Sequence, residues 1–334
     1  AGRPPLTLRV VNHRPRTSVS TAVSLLRQVA ETIQNVGPPG TQRAPASGFS
    51  ATKAFFELAQ FVGYFLAIGA IGFRFGIVRR VGGMSDEARA ILRADNAALL
   101  GALGVVLLGI SYLGGPYTEA IINHKTFAES LPRNLGAFEL KMALLAVAII
   151  GFLVVRAAST AGWTLATIGV LVAVLQPLYT GRIAGKVNAV HILAASTWIG
   201  TLLVLTVIGI RGVIKRGGAG IQRAELVCDL VNSFSPLALT AASVVALSGL
   251  TTAWLHLKRV SALWTTGYGW ALIVKLIFVL LVVTLGAWNW RRVRPSLGGE
   301  GSEQTIKRSA TMELTFAACV LLATSVLVTL PSPR

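Results

Sequence analysis

Leu178-Tyr-Thr-Gly-Arg-Ile-Ala-Gly-Lys-Val-Asn-Ala-Val-His-Ile-Leu-Ala-Ala-Ser-Thr-Trp-Ile-Gly200 is a short polar hinge that runs into an apolar segment with a histidine near its start. At helical period, His191, Ala194, Ala195 and Trp198 share one face, and small residues fill the surface between imidazole and indole. Small residues let a second helix approach closely, so His191 is expected to point at a neighbouring helix and not at lipid. An ionisable ring inside such a segment is a functional-site hypothesis in its own right.

The same pattern of apolar run and basic hinge repeats along most of the chain. Of 334 residues, 53% are hydrophobic and 13% charged, with a mean hydropathy of +0.66. A soluble domain carries about a quarter charged residues. Apolar runs fall at 54–78, 95–115, 138–158, 162–178, 188–210, 235–257, 270–290 and 310–330. Each approaches the roughly 17–25 residues a helix needs to cross a bilayer. They predict an all-α polytopic transmembrane bundle of eight spans, with the lipid bilayer as its solvent. Ser235-Pro236 reads as a helix start, because a first-turn proline sacrifices no hydrogen bond. Pro177 closes the fourth span, and Gly72 and Gly76 offer a small-residue contact ridge in the first.

Residues 1–53 form a basic arm with Pro4-Pro5 and Pro38-Pro39-Gly40, either loosely ordered or holding an amphipathic helix over 20–34. Residues 54–334 form the transmembrane domain. The net charge of +18 suggests nucleic acid in a soluble protein. Here Lys and Arg collect in short loops, where they orient the chain and meet anionic lipid, so no nucleic-acid partner is expected. Arg79, Arg80, Arg89 and Arg93 follow the first span, and Arg211, Lys215, Arg216 and Arg223 the fifth. Arg291, Arg292, Arg294, Lys307 and Arg308 follow the seventh, and Arg156 the third. That side outnumbers the opposite loops by fourteen basic residues to six, so the positive-inside rule places both termini on the outer, periplasmic side.

In this topology His191 opens the fifth span at the outer face, His256 closes the sixth there, and His124 lies in an outer loop. Imidazole suits copper, zinc, iron and nickel, and Cu(I) also accepts a thioether, which Met142 near the outer end of the third span is placed to offer. Interfacial histidines bonded to backbone or water are the plain alternative. Lys275 lies about 7–8 Å inside the seventh span by helical rise. It is expected to snorkel past Trp270 or to pair with Glu57 or Glu139. Trp254, Trp264 and Trp270 form an outer aromatic belt, and Trp288 and Trp290 an inner one, with Tyr112 and Tyr117 in the same anchoring role. Cys228 and Cys319 read as small apolar fillers. The chain has no phosphate loop, nucleophile elbow or HExxH, so no enzyme is expected.

Three segments together resemble the CopD family of bacterial copper-resistance membrane proteins. They are His191-Ile-Leu-Ala-Ala-Ser-Thr-Trp-Ile-Gly200, Phe234-Ser-Pro-Leu-Ala-Leu with Ser248-Gly-Leu-Thr-Thr-Ala-Trp254, and Tyr268-Gly-Trp-Ala-Leu-Ile-Val-Lys275. The first span, ending Gly72-Phe-Arg74, is also similar. The likeness covers about residues 54–330 and is strongest over 178–295. It implies an eight-span inner-membrane protein of copper uptake or handling that works with a periplasmic copper carrier. By position, His191 matches the family histidine and Lys275 the intramembrane lysine. One departure concerns the hinge: where relatives commonly carry Thr/Ser-Gly-His, this chain has Thr180-Gly181-Arg182. A guanidinium stays protonated and cannot ligate copper.

Three functions follow as expectations. The first is copper transport or delivery at the periplasmic face through His191, His256, His124 and Met142. The second is a non-catalytic accessory subunit of a larger membrane complex, with the fold kept and the site eroded. The third is an electron-transfer protein holding haem b between His191 and His256, which requires two imidazoles facing each other at similar depth.

Overall fold

The computed structural model describes residues 51–81, 94–131, 135–216, 220–257, 260–288, 291 and 302–329. The arm lies outside them, apart from Ala51–Lys53, which form the first turn of helix α1. The amphipathic helix expected over 20–34 is likewise outside the described residues. Among the described residues, eight helices are long and apolar enough to cross a membrane.

Helix α1 spans Ala51–Gly72 and continues through a π-helical segment, Phe73–Val78, to Val81. Helices α2 (Ala94–Ile122), α3 (Leu135–Val154) and α4 (Ser159–Thr180) follow. Helix α5 starts at Ile183–Ala195, passes through π-helical segments at Ser196–Gly200 and Leu205–Ile210, and ends at Arg216. Helix α6 is Gly220–Leu257, and α7 is the single turn Ala262–Thr265. Helices α8 (Gly267–Trp288) and α9 (Ser302–Thr329) complete the described helices.

Helix α1 is the centre of the bundle. Two thirds (67%) of its apolar window is buried, against 17% for α6 and for α8, so α1 meets protein almost all round while those two face lipid. Lipid supplies no hydrophobic drive between helices, so close packing must hold them together, and glycines permit it. Gly63 on α1 abuts Gly104 on α2, where an added Cβ would come within 2.8 Å of the Gly104 carbonyl oxygen. Gly69 abuts Gly200 on α5, backbone to backbone. The ridge expected from Gly72 and Gly76 is present, against Thr201 and Leu237. On α2, Ala98, Ala102, Val105 and Leu108 recur at three- and four-residue intervals and are all buried.

Helix starts and ends differ from the apolar runs in two instructive places. Helix α6 does not begin at Ser235-Pro236; it begins fifteen residues earlier and carries Pro236 inside it. Its first part holds Glu225, Asp229 and Asn232, so hydropathy hides a helix that backbone geometry continues. Ser235 Oγ donates to the Val231 carbonyl at 2.8 Å, and Thr240 Oγ1 to the Pro236 carbonyl at 2.9 Å. Hydroxyl bonds of this kind make an interior proline tolerable in a membrane helix. Helix α2 likewise runs through Pro116 to Ile122.

Helix α2 ends on a histidine in the left-handed region. His124 has φ 51°, Lys125 N–H donates to the Ala120 carbonyl at 2.9 Å, and His124 N–H to that of Ile121 at 3.5 Å. This is a Schellman closure with His124 where glycine is usual.

Candidate functional site

His191 lies on the third turn of α5 and turns its ring onto α6. Its Nδ1 is 3.0 Å from Ser248 Oγ, and the Val245 backbone one turn earlier lies beside the ring. Ser248 Oγ donates its only hydrogen to the Val244 carbonyl at 2.5 Å. The hydroxyl is therefore left as acceptor for Nδ1–H, and Nε2 carries the ring's lone pair. Gly249 makes room for the ring, since an added Cβ would lie 3.2 Å from Cε1 and 3.6 Å from Nδ1. The expectation that His191 points at another helix holds, and Ser248-Gly249 is its seat.

Lys275 on α8 is the charged neighbour of His191. The expected carboxylate partners are elsewhere: Glu57 has Lys53 as its charged neighbour, and Glu139 is exposed on the first turns of α3. The charge that acts on the α5 imidazole thus comes from α8, a helix far from it in sequence.

A π-helical segment begins at Ser196, between His191 and Trp198, and turns less per residue than a 3.6-residue count assumes. Trp198 packs with Phe65 on α1, Ile199, Val282 on α8 and Ala317 on α9. Arg182 is exposed at the N-cap of α5, nine residues before His191 and so about 13 Å away along the helix. His124 is exposed and serves the α2 closure. Met142 packs half-buried against the main core, on a helix whose main contacts are α2 and α4. His256 falls in the last turn of α6, eight residues beyond Ser248 and so about 12 Å along it; its side chain is outside the described set. Among the described residues, no group of three His, Cys, Asp or Glu is placed to hold a metal ion.

The structure also assembles a polar region that sequence reading missed. Tyr64 on α1 and Tyr112 on α2 hydrogen-bond to each other through their hydroxyls. Lys141 Nζ sits 4.4 Å above the Tyr112 ring. Tyr112 is therefore an interior residue and not a belt anchor; Trp254, Trp264 and Trp270, which are exposed, fit the belt. Beside the tyrosines a cavity of about 630 Å³ opens between the starts of α1 and α3 and the ends of α2 and α4. Glu57, Gln60 and Tyr64 follow one face of α1 at helical spacing. That signal was legible, but nothing in it identified α2 as the facing helix.

Comparisons with known proteins agree with the resemblance read from the sequence. Residues 229–327 match the family model CopD, copper resistance protein D. A stretch of 143 residues is 29% identical to the copper transport protein CutJ of Bacillus subtilis (strain 168). That stretch is 43% of this chain and spans about a quarter (24%) of the relative's length. No solved structure matches the chain.

Proposed function

We propose that this chain is a CopD-type copper-handling protein of the bacterial inner membrane, which moves or delivers copper ions at the periplasmic face through His191. The seat of His191 carries this reading. A ring held through Nδ1–H by Ser248, inside a helix pair, presents Nε2 as a fixed ligand atom. Metal-bound histidines are oriented in this way by the hydrogen bond on their other nitrogen. Copper is cargo here, and no bond-making step is asked of the chain.

One imidazole does not make a storage site, and a transfer ligand does not need one. His191 supplies one nitrogen, and the remaining ligands come from the periplasmic carrier that hands the ion over. Lys275 complements this role. A cation beside the ligand weakens the hold on another cation and so favours onward release. With Arg182 exposed and distant, the missing hinge histidine reads as a lost docking ligand, not a block at His191.

The haem alternative fits the helices poorly. His191 and His256 lie on α5 and α6, and the His191 ring already touches α6 at Gly249. A porphyrin between the two imidazoles needs these helices apart.

The test is elemental analysis of gently purified protein loaded with Cu(I), beside His191→Ala. Copper near one per chain, lost in the variant, is the expected result. Iron with a haem spectrum would move the assignment to electron transfer. Neither metal after loading would leave the fold as an accessory subunit of a larger membrane complex.

A further inference from the structure

The cavity between α1, α2, α3 and α4 plays no part in the copper reading, and its lining has a chemistry of its own. Phe56, Ile122 and Phe138 give it an apolar wall. Its ionisable side chains are Lys53, Glu57, Glu119 and Lys141, besides the Tyr112 phenol. Two lysines and two glutamates sum to zero formal charge, on a chain of net charge +18. A balanced lining favours neither a free anion nor a bare metal cation. It is complementary to a ligand carrying both signs close together.

Two further groups offer hydrogen bonds into this space. Ser111 is 8% exposed, lines the cavity, and its hydroxyl bonds to no other described residue. Pro116 has no N–H, so the Tyr112 carbonyl loses its α-helical partner at the cavity wall. The Tyr112 ring below Lys141 holds that ammonium at the wall.

Depth narrows the ligand class. Glu57 is five residues beyond Thr52, where the first span begins, so it lies about 7–8 Å below the helix end. Lys141 lies six residues, about 9 Å, below the start of α3. One charge of each sign, Glu57 and Lys141, lies one to two turns below a helix end, with Lys53 and Glu119 nearer the rim; this arrangement against aromatic and aliphatic walls matches the junction of headgroup and acyl chain in a bilayer.

We propose that this cavity seats a phospholipid of the phosphatidylethanolamine class. Its phosphate meets Lys53 and Lys141, and its ammonium meets Glu57 and Glu119. The Ser111 hydroxyl binds a phosphate oxygen, the Tyr112 carbonyl accepts from the ammonium, and the acyl chains run past Ile122 and Phe138.

The experiment is native mass spectrometry of delipidated full-length protein, titrated with phosphatidylethanolamine, phosphatidylcholine or phosphatidylglycerol in matched acyl chains. The expected result is one retained phosphatidylethanolamine per chain, at roughly tenfold higher affinity than phosphatidylcholine, whose ammonium has no N–H to donate. Glu57→Gln and Lys141→Gln are each expected to abolish that preference. Glu119→Gln, at the exposed rim, reduces it and covers the case in which an interior variant fails to fold. Equal retention of phosphatidylglycerol, or an unchanged preference in the Glu119 and Glu57 variants, overturns the proposal. Competition by free phosphoethanolamine that fully displaces the lipid overturns the acyl-chain part, making the headgroup alone the ligand.

Discussion

Gly249 is the position where the seat of His191 can be perturbed without touching a polar group. A Cβ there would stand 3.2 Å from Cε1, whereas carbon atoms at rest sit about 3.5–4.0 Å apart. In Gly249→Ala the ring must therefore retreat by about 0.3–0.8 Å. Two stability terms oppose each other. Alanine is about 0.8–1.0 kcal/mol better than glycine in a helix. A weakened interhelical hydrogen bond in a membrane costs about 0.6 kcal/mol on average. Stability of the alanine variant should thus match the parent within about 0.5 kcal/mol, by the same magnitudes. Copper affinity should not match, because disturbing the orienting bond of a metal-binding histidine costs about 10–100-fold. Gly249→Val adds two γ-carbons toward the ring and should lose about 1–3 kcal/mol by overpacking, with copper binding abolished. Thermal unfolding in detergent, paired with competition for Cu(I) against a chromophoric chelator, separates the two effects. If Gly249→Val unfolds with the parent and holds copper as tightly, the ring does not rest on Gly249 and the assigned seat is wrong.

Three further outcomes follow from the same geometry. Ser248→Ala removes the acceptor for Nδ1–H; it should lower stability by only about 0.5–1.5 kcal/mol but weaken Cu(I) binding about tenfold, with loss of the single-tautomer ¹⁵N signature of His191. Lys275→Met should tighten Cu(I) binding and slow its release to a chelator, while Lys275→Arg keeps parental behaviour; equal release rates in the methionine variant and the parent would remove Lys275 from the transfer role. In the loop between α2 and α3, Glu129 accepts from Thr126 N–H at 2.9 Å, and Thr126 Oγ1 accepts from Glu129 N–H at 3.4 Å. Hydrogen bonding from Thr126 to the carboxyl, its backbone N–H above all, holds Glu129 below its usual range. A depressed folded-state value means the contribution is present above the unfolded carboxylate value and lost as pH falls through the folded one. Hydrogen-exchange protection of the Thr126 amide should follow that titration and disappear at all pH values in Glu129→Gln.

The eight spans were legible in sequence because burial in lipid demands long apolar runs, and nothing else in the fold mimics them. Helix ends were less legible, as α6 shows, since a helix that leaves the apolar layer keeps its backbone bonds and loses only its hydropathy signal. His191 was legible as an ionisable ring in an apolar run. Its partners were not, because Ser248 and Gly249 are small residues with no periodic signature of function. The surroundings of Trp198 were not legible either, because the π-helical segment at Ser196–Gly200 changes the angular increment just where α5 meets Gly69 of α1. Lys275 was legible as costly, but the sequence offered carboxylates as its neighbours, whereas the fold brings its charge to bear on an imidazole.

The matched family region and the proposed ligand come from different parts of the chain. Residues 229–327 include Val245, Ser248, Gly249 and Lys275 but not His191, which α5 brings in from outside that stretch. The seat and the neighbouring cation thus belong to one sequence unit, and the ligand is delivered to it by packing. That packing runs through α1: Gly69 lets α5 come into backbone contact, and Phe65 joins Ile199 of α5 to Val282 of α8 and Ala317 of α9. A side chain at Gly69 or Gly200 would push α5 away from α1 and carry His191 off its seat, although neither glycine is near the imidazole. The first span, which bears none of the candidate ligands, is therefore the packing partner that the helices of His191 and Lys275 share.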